Sequence, residues 1–176
     1  MGAELAQRSE WHHDASLDWH LLQYPLHAGM QRMIRDLNSI YRRTTPLFQI
    51  DFEHHGFEWI DIHDRDNSIF AWLRRAADAR FVVCIVNLTP VVRYDYRVGV
   101  PQGGSYAEIF NSDAGLYGGS STTNGGGVQT EPVSHRGRDF SLVLNLPPLA
   151  VVYFKSEKSP ATQHKSPKNH FEQKEK

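Results

Sequence analysis

The sequence predicts a mainly β protein, an antiparallel β-sandwich preceded by one amphipathic helix. Three observations carry this. Seven short runs rich in Val, Ile, Phe and Tyr follow residue 56, with apolar residues repeating every second position. Turn residues separate them and no helical pattern intervenes, which disfavours a parallel βαβ sheet. One long segment before them repeats at three- and four-residue steps instead.

Taken in order, residues 1–23 are aromatic and polar and show no period. Their stretch EWHHDASLDWHLL holds two Trp, three His and two Asp in thirteen residues. Residues 25–43 are the helix. Leu26, Met30, Met33, Ile34, Leu37, Ile40 and Tyr41 share one face. Pro25 suits the first turn, where an N–H has no partner to lose. Arg42 and Arg43 meet the negative end of the helix dipole, and Thr44-Thr45-Pro46 stops it. The strands are expected at Phe57–Ile62, Ser68–Arg74, Phe81–Asn87, Arg93–Val98, Tyr106–Phe110, Phe140–Leu146 and Ala150–Phe154. Phe81–Val86 is one continuous apolar run and is expected to be a central strand, buried on both faces. Trp72 is expected in the sandwich core. Residues 111–139 read as a long irregular loop within a glycine-rich region, with eight glycines between Gly103 and Gly127. This divides the chain into 1–43, a linker at 44–55, a sandwich at 56–155 and a tail at 156–176. The tail is polar and is expected to be disordered.

Composition narrows the function classes. With 40% hydrophobic and 22% charged residues the chain is globular in character. Nineteen basic against 20 acidic residues give a net charge of -1, which excludes broad electrostatic capture of nucleic acid. No apolar run approaches the roughly 18 residues of a membrane span. The single cysteine, Cys84, lies in an apolar strand, as a small core residue does, and fits a reducing compartment; a cytoplasmic protein is expected.

No catalytic motif emerges from the residues themselves. GGSSTTNGGG lacks the GK[ST] ending of a phosphate loop. His12-His13-Asp14 lacks the spacing that sets two ligands on one helix face, so no metal is expected. No cofactor is expected either. The aromatic residues differ: Trp faces stack on sugar rings while Asp bonds hydroxyls. Trp11, Asp14, Asp18 and Trp19 are therefore the candidate substrate-binding residues, with Trp19 also suited to packing on the helix behind it.

The segment MGAELAQRSEWHHDASLDWHLL resembles one in bacterial 1,4-α-glucan (glycogen) branching enzymes, members of the α-amylase superfamily. HAGMQRMIRDLNSIYR, GFEWID, NLTPVVRYDYRVGVP, NSDAGLYGGSSTTNGGG and HRGRDFSLVLNLPPLA are similar to their later segments in the same order, so the likeness covers roughly residues 1–154. It implies the all-β C-terminal domain of that superfamily, with residues 1–43 left over from the end of a (β/α)8 barrel: the loop after strand eight and helix eight. The reaction it implies cuts an α-1,4 glucan chain and transfers it to a 6-hydroxyl by a retaining mechanism with two carboxyl groups. The catalytic carboxylates of that family lie upstream of the matching segment, so no catalytic residue is expected here. The chain is expected to be an inactive C-terminal fragment whose parent acts on glycogen or amylose. Loops after barrel strands form the catalytic face, which favours glucan contact at Trp11 and Asp14. A stand-alone carbohydrate-binding or interaction sandwich is the alternative. With a barrel missing, the helix stripe is expected to lie open and drive self-association unless the sandwich covers it, and deletion of 1–43 is expected to improve behaviour.

Overall fold

The structure, a computed structural model, describes residues 2–157. Its eight strands are β1 (Phe57–Asp61), β2 (Ile69–Arg75), β3 (Phe81–Asn87), β4 (Arg93–Val100), β5 (Ser105–Asn111), β6 (Gly127–Gln129), β7 (Phe140–Leu146) and β8 (Ala150–Ser156). Every pairing is antiparallel. A six-stranded sheet runs β1-β2-β3-β8-β5-β6, and β4 pairs with β7 in a second sheet. No helix among the described residues is long and apolar enough to cross a membrane.

The alternation along each strand divides its side chains between two cores. Ile69, Leu73, Val83, Ile85, Val152 and Phe154 of the large sheet meet Val98, Val100, Leu142, Leu144 and Leu146 of the small one. That is the sandwich interior. The intervening residues of the large sheet point the other way. Val82 and Cys84 of β3 and Phe110 of β5 form a second cluster with Ile40 and Leu47, and Met33, Leu37, Trp72 and Tyr153 pack around it. The protein thus has three layers: helix, large sheet, small sheet. β3 lies in the middle layer, which is why its sequence is apolar at every position from 81 to 86.

The helix α1 (Pro25–Arg43) begins after an extended Tyr24 and ends where the Thr44 N–H donates to the Tyr41 carbonyl. Its stripe does not lie open, as a missing barrel would leave it. Met33, Leu37 and Ile40 are covered by the back of the large sheet. The two ends of the stripe remain bare, with Leu26 68% and Tyr41 44% exposed. α1 is also clamped from the side. Arg32 Nη1 donates to the Leu116 carbonyl at 2.9 Å, and the Tyr117 hydroxyl donates to Asp36 at 3.1 Å. Gly29 lets the Tyr117 carbonyl approach so closely that a Cβ would stand 2.3 Å from it. Trp72 belongs to this helix-facing layer and not to the sandwich interior, because its register partners Cys84 and, beyond it, Tyr153 face α1.

Three further details differ from the sequence reading. The segment 44–55 is packed: Pro46 and Leu47 are buried, Asp51 pairs with Arg74, and Gln49 accepts the Ala77 N–H. The long loop holds a 3-10 turn at Gly115–Tyr117 and the three-residue β6, whose place is set by pairing with β5. Asp113 organises this loop, its carboxylate accepting from the Ser120 N–H and hydroxyl and from the Thr122 N–H. β8 takes in Ser156, and the Glu157 N–H donates to the Ser105 carbonyl. The rest of the expected tail, 158–176, lies outside the described residues.

Candidate functional site

The candidate residues lie on the segment before α1, and two anchors hold it. Leu5 is buried, and its carbonyl accepts from His27 Nδ1 on α1 at 2.6 Å. Gly2 has φ 86 and sits against the Gln7 side chain, where a Cβ would come within 2.1 Å of the amide carbon. The positive φ favours glycine there. Gln7 packs against it, and its Nε2 donates to the Ser9 carbonyl at 3.3 Å. The Ser9 hydroxyl donates to Asp18 Oδ2 at 2.7 Å, closing the segment into a loop.

This loop surrounds a cleft of about 290 Å³ lined by Gln7, Ser9, Trp11, His12, Leu17 and Asp18 among others. Trp11 is 64% exposed, so much of its indole is bare. Gln7 Oε1 is buried against Gly2 and has no hydrogen-bond partner. The chemistry offered is a flat apolar surface beside the Asp18 carboxylate. Those are the requirements of a polyhydroxylated ring, with C–H faces to stack and O–H groups to donate.

Of the four candidates, the structure brings Trp11 and Asp18 together in the cleft. Asp14 stands outside the lining and pairs with His13 Nε2 at 3.3 Å, both side chains open to solvent. Trp19 is also outside it; it starts the 3-10 turn Trp19–Gln23, which rests on α1, yet its own ring is 55% exposed. Gln7 and Ser9 were not singled out from the sequence. A polar pair made by loop closure across nine residues has no periodic signature. His12 and His13 stack on one another with centroids 5.8 Å apart. Among the described residues no group of three or more His, Cys, Asp or Glu is placed to hold a metal.

A second charged cluster serves the fold. Glu58 on β1 accepts from Arg75 Nη2 at 2.6 Å and from Arg138, while Arg136 pairs with Asp61 at 2.9 Å. Together they tie the loop before β7 to the edge of the large sheet. Partial burial pushes the Glu58 carboxyl up, but hydrogen bonds and charge from Arg75 and Arg138 outweigh it and hold the group below its ordinary value. Cys84 is no nucleophile: burial drives its thiol far above the usual range.

Such a helix-backed antiparallel sandwich is an all-β domain with one face of its large sheet roofed by a helix. Residues 59–157 match the model of the alpha amylase C-terminal all-beta domain, and the chain belongs to that family. It is 55% identical over 153 residues to the 1,4-alpha-glucan branching enzyme GlgB of Cereibacter sphaeroides, covering 87% of this chain and 21% of that protein. The branching enzyme GlgB of Aquifex aeolicus is 51% identical over 158 residues, covering 89% of this chain and 25% of that one. That of Methylobacillus flagellatus is 55% identical over 152 residues, with 86% and 21% covered. The chain thus spans between a fifth and a quarter of these relatives' length. Among solved structures, a pullulanase of Group B Streptococcus aligns over 79% of this chain and 18% of its own, at 17% identity and a TM-score of 0.47.

Proposed function

We propose that this chain supplies the β-domain end of a 1,4-α-glucan branching enzyme. Its parent activity cuts an α-1,4 glucan chain and rejoins it to a 6-hydroxyl, in the cytoplasm. The observation that carries this reading is identity of 51–55% to proteins of that name across nearly nine-tenths of the chain. Residues 1–43 then correspond to the end of the catalytic barrel, and the loop around Trp11 contributes to glucan contact. Within that loop Trp11 supplies the stacking face and Asp18 the hydroxyl acceptor. Asp14 and Trp19, outside the cleft, act at its margin. The catalytic carboxyl groups belong to sequence that this chain does not contain, so the chain alone does not branch. The bare residues at the two ends of α1, Leu26 with the preceding Tyr24 and Tyr41 in the last turn, are left for self-association or for contact with a barrel.

The test is an iodine-stain assay on amylose. The purified chain leaves the colour unchanged, and a longer protein carrying the barrel together with this segment lowers it. Loss of colour with this chain alone, contaminating enzyme excluded, overturns the assignment of catalysis elsewhere. No activity in the longer protein overturns the family activity.

A further inference from the structure

We propose that Asn124 is a self-modification site: it deamidates at the Asn124–Gly125 bond, and the change unpins the 122–129 arm from both sheets. Asn124–Gly125 is the one Asn-Gly pair in the sequence. Glycine has no side chain to shield its N–H from the preceding carboxamide. Gly125 and Gly126 are exposed, and a Cβ added at either would meet nothing within 4 Å, so the turn is open to solvent and base. The step balances without a cofactor. A base in solution takes the Gly125 N–H proton, and the nitrogen attacks Asn124 Cγ. The new C–N bond closes a succinimide as the Cγ–Nδ2 bond breaks, and Nδ2 leaves as ammonia with a proton from solvent. Water then opens the ring. Its addition at Cγ breaks the bond to the Gly125 nitrogen and leaves aspartate; its addition at the backbone carbonyl leaves isoaspartate.

The carboxamide is what holds the arm. Its Nδ2 donates to Glu108 Oε2 on β5 at 2.7 Å and to the Asn145 carbonyl on β7 at 3.1 Å, and its Oδ1 accepts the Asn145 N–H at 2.8 Å. It thereby serves Asn145 as a strand partner would, at the place where the β4–β7 register shifts. One side chain so joins the large sheet to the small one, and it needs both a donor and an acceptor to do it. A carboxylate only accepts. It abandons the Asn145 carbonyl and meets Glu108 with like charge. Glu108 has no ion pair among the described residues, its other side-chain donors being Asn111 Nδ2 at 3.2 Å and the Thr123 hydroxyl at 3.4 Å, so no cation offsets the second charge. The same bonds restrain the reaction. With the carboxamide held by Glu108 and Asn145, the Gly125 N–H donates to Thr123 Oγ1 at 3.3 Å instead. Reaction therefore runs through opening of the arm. Because ammonia is lost, the product cannot rebuild the pin.

The experiment ages the intact chain in mildly alkaline buffer, natively and in urea, and follows each asparagine by peptide mass spectrometry. Asn124 is expected to convert first in both, and about tenfold or more slowly in the native chain, where opening must precede reaction. The consequence is read by amide hydrogen exchange. The Glu108 N–H donates to the Gly126 carbonyl at 2.9 Å. Asn124→Asp is expected to speed its exchange by about tenfold, while the amides of β3 move less. Should Asn124→Asp fail to fold, the same exchange is read on native chain part-way through ageing, comparing converted with unconverted molecules. Another asparagine converting first overturns the proposal, as do native and urea rates that differ by less than about tenfold. Glu108 exchange unmoved by conversion overturns it too, and so does a native chain that exchanges its Glu108 amide yet never converts.

Discussion

Replacing Ile40 by alanine tests whether α1 is part of the sandwich in solution. Ile40 is 9% exposed and touches the cluster of Leu47, Val82, Cys84 and Phe110. The change removes three buried carbons, worth about 0.8 kcal/mol each on transfer. A residual cavity adds to this, while alanine's better helix propensity gives back about 0.4 kcal/mol. The net loss expected is about 2–3 kcal/mol. For a unit of this size that lowers the melting temperature by about 5–10 °C. The control is Leu26→Ala on the same helix and the same stripe. Leu26 is 68% exposed, so its loss is expected to cost under about 0.5 kcal/mol. Urea unfolding followed by tryptophan fluorescence gives both values, with Trp72 reporting directly on the helix–sheet cluster. If the two variants melt together within about 1 °C of the parent, α1 does not rest on the sheet and the three-layer account fails. The same reasoning reverses the outcome expected from the sequence for removal of residues 1–43. That deletion bares Val82, Cys84 and Phe110 and is expected to cause aggregation, as light scattering would show.

Gly29→Ala sets two effects against each other. Alanine raises helix propensity by about 1 kcal/mol, but its methyl meets the backbone carbonyl of Tyr117, which has no rotamer to escape through. A lowered melting temperature is expected; a raised one would show that the 115–118 turn is free of the helix. Glu58 gives a pH test. Its folded pKa is depressed, so its contribution is present above the unfolded value of about 4.5 and is lost as pH falls through the lower folded value. Glu58→Gln is expected to flatten the acid limb of a melting-temperature profile below about pH 4.5, and an unchanged limb refutes the role of the Arg75 and Arg138 pairs. In a full-length branching enzyme carrying this segment, Trp11→Ala is expected to weaken retardation in glycogen gels by about tenfold, and Trp19→Ala by less. The reverse order places the stacking face at Trp19.

Much of the fold is legible in the chain because each signal is local. Pro25 and Thr44 bound the helix, and two-residue alternation finds seven of the strands. β6 escapes because Gly-Val-Gln has no period of its own; its place comes from Ser105, Tyr106 and Ala107 opposite. What covers α1 is harder to read. The clue lies in β3, where Val82 and Cys84 are as apolar as Val83 and Ile85. That pattern declares a strand buried on both faces without naming what lies on each. Ser112 to Gln129 reads as slack chain because the Asp113 knot is built from Ser and Thr hydroxyls and backbone N–H groups. The site divides in the same way. Trp11 and Asp18 are visible as residue types, but their meeting depends on the Ser9 hydroxyl and on Gln7 packing against Gly2. Asp14, nearer to Trp11 in sequence, turns to His13 instead.

The contact between α1 and the back of the large sheet also separates two units that are often assumed to coincide. The inherited module, as the family model delimits it, begins at Trp59. The module that closes its own apolar surface begins before it, at the helix, and takes in Leu47 on the way. A recombination breakpoint between residues 44 and 56 would therefore carry a complete sheet into a new host with one side unroofed. Such a transplant survives only if the host brings a helix with small and branched residues to match Val82, Cys84 and Phe110. Lineages that exchange this β-domain are thus constrained to move the preceding helix with it, or to evolve another lid for the same three residues.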